Sequence, residues 1–189
     1  MKNGLELLKI RALNETIDVS KFEEDNNLLL PNIYKVFQQT YYLGKDKTFF
    51  HEKYLNPSSD RLNGFMIQKF DSFFTSKAIM LNSLYSIEET MEIMKMIFPK
   101  EDDVWQQGLL LIGENDLNES FFVGINNENI DKIYWERTDL SPRFIQIADN
   151  IFEFIRGISV VPNEPYLGKY KLSQLNKNWG EDFWRVREE

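Results

Sequence analysis

The stretch that decides the fold is Ser120–Arg137, SFFVGINNENIDKIYWER. Two short apolar runs flank an asparagine-rich turn, NNEN. Phe121, Phe122, Val123 and Ile125 read as one strand, and Ile130, Ile133, Tyr134 and Trp135 as lying in the next. Asn and Asp tolerate the left-handed backbone that such a connection needs, so the stretch predicts an antiparallel hairpin.

The sequence on either side of the hairpin is consistent with that reading. Upstream, Gly108–Ile112 (GLLLI) is a short continuous apolar run, the mark of a buried strand. Gly113 is expected to break it, and ENDLNE to turn the chain into the hairpin. Further upstream, SIEETMEIMKMIF is a helix opened by a capping box, with Ser86 and Glu89 reaching for each other's backbone N–H. Ile87, Met91, Met94 and Phe98 form its apolar face, and Pro99 ends it. GFMIQKFDSFF and SKAIMLNSLY read as strands with a turn near Asp71 or Thr75. LLLPNIYKVFQQTYYLG reads as a helix with Pro31 near its first position, a buried face of Ile33, Tyr34, Phe37 and Tyr41, and a stop at Gly44. Downstream, FIQIADNIFEFIRGI predicts one amphipathic helix with Ile147, Ala148, Ile151, Phe152, Ile155 and Ile158 on a single stripe. Antiparallel connections dominate, so the expectation is an α+β fold: a mostly antiparallel central sheet with helices packed against it in a single domain. Residues 1–27 read as a short helix and loop, 28–158 as the α+β domain, and 159–189 as an arm packed on it, with Trp179 and Trp184 packed rather than presented.

Composition narrows the chemistry. The 189 residues include no cysteine, which excludes disulfides, thiolate catalysis and cysteine-based zinc sites. The net charge of −8 opposes binding to nucleic acid through phosphates and favours a basic partner if charge steers an encounter. The N-terminus shows no secretory pattern and no apolar run is long enough to span a bilayer, so the expected compartment is the cytoplasm, with no membrane partner. His51 is the only histidine and lies in a polar stretch beside Glu52. The sequence shows no phosphate-binding loop and no nucleophile elbow. Glu114, Asp116 and Asn118 alternate like the first ligands of a calcium loop, but Glu119 and Ile125 stand where that loop needs glycine and an acid. No catalytic residue, metal or cofactor is assigned.

Four stretches carry a family likeness: LLLPNIYKVFQQTYYLG, LNSLYSIEETMEI, GLLLIGENDLNESFFVGINNENIDKIYWE and FIQIADNIFEFIRGI. In their order they resemble the SUKH superfamily, which includes bacterial toxin-immunity proteins and a fungal cell-wall-assembly regulator. The chain departs from that pattern at Lys45 and at Asn115, Asp116 and Asn118, where glycines are often found. The resemblance implies a sheet covered by helices, no catalysis, and direct contact with a protein toxin, basic nucleases being one such class. The expected contact surface comprises Glu114, Asp116, Glu119, Glu128, Trp135 and Asp139. Two alternatives stand beside it: a regulatory scaffold of the same fold with a housekeeping partner, and a carboxylate-dependent hydrolase built round His51.

Overall fold

The computed structural model describes residues 4–12, 15–43, 63–67, 79–81, 83–115, 118–137, 140–162, 175–176 and 185–186; for 63–67, 79–80, 159–162, 175–176 and 185–186 the description is of the backbone. Among them, a five-stranded antiparallel sheet has the order β3 (Ser83–Leu84), β4 (Leu109–Glu114), β5 (Ser120–Gly124), β6 (Ile133–Glu136) and β7 (Phe144–Ala148). A three-stranded antiparallel sheet has β1 (Asn63–Ile67) between β2 (Ile79–Leu81) and β8 (Ile158–Pro162). A short pair joins β9 (Leu175–Asn176) to β10 (Arg185–Val186). The helices are α1 (Val19–Asn26), α2 (Asn32–Thr40), α3 (Ile87–Ile97), α4 (Asp103–Gln106) and α5 (Ile151–Arg156), preceded by a 3₁₀ turn, Gly4–Glu6. The fold is α+β.

The predicted hairpin forms. Phe121 pairs with Trp135, Phe122 with Tyr134 and Val123 with Ile133. Its strands are shorter than expected: Ile125 has left β5, and Ile130 lies in the turn, 49% exposed. Phe121, Phe122 and Val123 are fully buried although neighbours along a strand point to opposite faces, so both faces of the sheet are covered there. On one face Phe122 meets Phe98 from the end of α3 and Phe144 from β7; on the other Phe121 meets Phe154 of α5. Each such phenylalanine contributes about 1.5–3 kcal/mol of apolar burial.

Helix α3 follows its sequence closely. Ser86 caps the Glu89 N–H, Glu89 returns to the Ser86 N–H at 3.2 Å, and Ile87, Met91, Met94 and Phe98 are buried. Thr90 donates to the carbonyl of Leu111, tying the helix to β4.

Three expectations need correction. Gly113 does not break β4 but stays in it, at a register shift opposite β5; a Cβ there would sit 2.3 Å from the Ser83 carbonyl oxygen, so the residue lets β3 approach. The stretch Phe144–Ile158 is not one helix. Phe144–Ala148 pairs with β6, and Asn150 starts α5 by accepting from the N–H groups of Phe152 and Glu153. Helix α2 has Pro31 as its N-cap, next to its first position as expected, but ends before the expected stop, at Tyr41, which is extended and bridges Ile10. Its buried face comprises Tyr34, Phe37 and Gln38, whereas Ile33 is 39% exposed. The helix within the first 27 residues is Val19–Asn26.

The expected boundary between residues 158 and 159 falls within β8, which pairs with β1. Gly44, His51, Asp71, Thr75, Trp179 and Trp184 lie outside the described residues.

Candidate recognition surface

The antiparallel meander β4–β5–β6–β7 has two ends. The β4–β5 and β6–β7 turns share one; the β5–β6 turn occupies the other. Those of the expected contact residues that are described are divided between them.

At the first end Glu119 and Trp135 come together. The Glu119 Oε2 accepts from the Asn115 side-chain amide at 2.7 Å and from the Trp135 indole N–H at 3.2 Å. The Glu119 N–H donates to Asn115 Oδ1 at 3.0 Å, and Asn118 takes a left-handed conformation (φ 58°) to close the turn. Trp135 packs against the core from a half-buried position. Glu114 is half-buried at the end of β4 and accepts the Tyr85 hydroxyl; burial, this bond, and the charges of Glu114 and Glu89 all push the Tyr85 pKa up. Asp116 and Asp139 lie outside the described residues. Nearby, Arg143 joins Glu136 at 2.6 Å and Asp102 at 2.9 Å, with its guanidinium stacked over Phe144. Burial lowers the Arg143 pKa, but the bonds and charges of its two carboxylates outweigh it and raise the value. Among the described residues of this end, Asn115, Glu119 and Trp135, and Arg143, Glu136 and Asp102, bond one another.

The opposite end carries Glu128, exposed in the β5–β6 turn. Asn129 ties that turn down by donating to the Gln107 carbonyl at 2.6 Å, and Gly108 (φ +60°) leaves room for Asn126, whose side chain would lie 2.2 Å from a Cβ. Asp131 is left-handed and accepts from the N–H groups of Ile33 and Tyr34, capping α2 from 97 residues away where Pro31 supplies no side-chain cap. Burial raises the Asp131 pKa more than those N–H bonds lower it.

Beside this turn runs an open groove of about 650 Å³ between α1 and the segment that follows β5. Glu24, Asn27, Leu28, Leu29, Ile125 and Asn126 are among its walls. Leu29 is 77% exposed. Glu23, also in the wall, is held by Lys35 at 2.6 Å and by the Leu30 N–H at 2.7 Å. Burial raises its pKa, but the Lys35 bond, the Leu30 bond and the Lys35 charge bring it below the usual value.

Sequence reasoning missed Asn115, Asp131 and this groove. The partners of Asp131, and the two walls of the groove, stand about a hundred positions apart in the chain, beyond the reach of local pattern. Among the described residues no cluster of three or more His, Asp or Glu side chains could hold a metal, and no helix is long and apolar enough to cross a membrane. No family model matches the chain, and no curated protein matches it.

Proposed function

We propose that the chain is a non-enzymatic, cytoplasmic binding protein: an immunity protein of the SUKH kind that neutralises a basic protein toxin by direct contact. The observation that carries this reading is the ordered set of four stretches between residues 28 and 158. Their described parts contribute α2, the end of β2 with β3 and α3, the β4–β5–β6 meander, and β7 with α5. A net charge of −8 supports a cationic partner, because complementary potentials speed encounter and penalise wrong partners. A nuclease is the toxin class that fits best, since proteins that grip phosphate backbones are basic.

The test is co-expression. The chain is produced with each basic protein encoded beside its gene, in cells that the second protein kills. The expected result is survival together with a 1:1 complex that weakens as salt is raised. A growth defect on deleting the gene in cells that meet no toxin would instead favour the regulatory scaffold. Failure of every neighbouring product to bind would remove the immunity reading.

A further inference from the structure

We infer that the groove between α1 and the β5–β6 turn is the docking site, and that its occupant is a cationic segment of the partner protein carrying an apolar anchor. This rests on the binding-protein reading and specifies its surface. It also moves the contact away from Glu119 and Trp135, whose polar atoms already serve each other.

Two observations converge on the groove. The first is apolar exposure at one corner. Leu29 is 77% exposed in the groove wall, with Leu28 and Ile125 half-buried behind it. Outside the groove's lining, Ile130 precedes Asp131 and Ile33 is bonded by it through its N–H, and the two are 49% and 39% exposed. Exposed apolar residues grouped at a concave site mark a contact surface, whereas scattered ones do not.

The second is charge. Glu24 lines the groove, Asp25 follows it on α1, and Glu128 stands on the adjoining turn, all three exposed. Of the lysines around it, Lys35 is paired with Glu23, Lys132 donates to the Glu128 carbonyl, and Lys21 stands exposed on α1, so three exposed carboxylates face fewer free ammonium groups. An apolar floor with an acidic rim fits a segment that places one apolar side chain against Leu28, Leu29 and Ile125 and its ammonium or guanidinium groups near Glu24 and Glu128. A second copy of this chain, also at −8, would bring like charge to that rim.

The experiment is an amide NMR titration of the full chain with a synthetic amphipathic helix of leucine and lysine, and with its leucine and glutamate counterpart as control. The expected result is that the lysine peptide shifts Asn27–Leu29, Ile125–Asn126 and Ile130, that salt weakens it, and that the glutamate peptide does not bind. Leu29→Asp should weaken binding about tenfold, the loss expected from removing one apolar anchor. Glu24→Lys should weaken it and flatten the salt dependence. Both positions are exposed, so the variants should keep the wild-type spectrum elsewhere. Shifts confined to other surfaces, equal binding of the glutamate peptide, or unchanged binding by both variants would overturn the assignment. So would a concentration-dependent dimer that Leu29→Asp abolishes. The titration needs no toxin, so its failure removes the groove and leaves the immunity reading to the growth experiment. A toxin complex that forms normally with Leu29→Asp would likewise overturn the groove alone.

Discussion

The two ends of the β4–β7 meander are built from similar residues and put to different use. At the β4–β5 end, Asn115, Glu119 and Trp135 bond one another, and Arg143 joins Glu136 to Asp102. At the β5–β6 end, the polar groups hold the turn against Gln107 and α2, while Leu29, Ile130 and Glu128 remain open to solvent. A carboxylate in a sequence therefore says little about recognition until its partners are known. Glu119, expected on the contact surface, accepts from Asn115 and Trp135, whereas Glu24, which was not among the expected contact residues, lines a groove.

The comparison can be broken or sharpened in five ways. Arg143→Ala should have the largest effect on stability. It strands Glu136, whose side chain is only 3% exposed, and removing one partner of a buried ion pair costs about 3 kcal/mol. Denaturant unfolding measures this; a loss below about 0.5 kcal/mol, the size of an ordinary surface substitution, would mean the first end is not held by its internal charges. Asp131→Ala should cost about 1 kcal/mol, as loss of a helix cap does, whereas Asp131→Asn keeps an acceptor and should cost less.

Acid adds a sign to that pair. The Asp131 pKa is raised in the fold, so the folded chain binds its proton more tightly, and Asp131 contributes increasing stability as pH falls from neutral through its folded pKa toward its unfolded value of 3.8. Glu23 works in the opposite sense. Its pKa is lowered below 4.5, so its contribution is present above that value and is lost as pH falls through the folded pKa. Relative to wild type, Asp131→Asn should therefore lose ground on acidification and Glu23→Gln should gain it. Paired pH-dependent unfolding curves check both; parallel curves would contradict the assigned environments.

Trp135→Phe keeps most of the ring but removes the indole N–H from Glu119, and should cost up to about 1 kcal/mol. Leu29→Asp should change stability by less than about 0.5 kcal/mol, as exposed positions do, while lowering partner affinity. A variant that loses stability instead would show Leu29 to be part of the core.

What was legible in the sequence was local. The α3 capping box needs only Ser86 and Glu89, three positions apart, and the β5–β6 hairpin needs only its two apolar runs and the asparagines between them. The segment Phe144–Ile158 was misread because its apolar residues satisfy a helical stripe throughout. The stop is Asn150, whose side chain bonds Phe152 and Glu153 and so starts the helix there, leaving the first five residues to pair with β6. Helix α2 ends where Tyr41 bridges Ile10, a pairing that nothing near Tyr41 in the chain announces. The candidate site was less legible still. Glu24 and Leu29 meet Ile125 and Asn126 across roughly a hundred residues, so only the fold brings the groove together.

The most direct test of the account is hydrogen exchange of the chain, free and in complex with the basic toxin it protects against. New protection confined to residues 20–33 and 125–131 is the predicted result. Protection centred on residues 115–119 and Trp135, with the α1 groove unchanged, would contradict it.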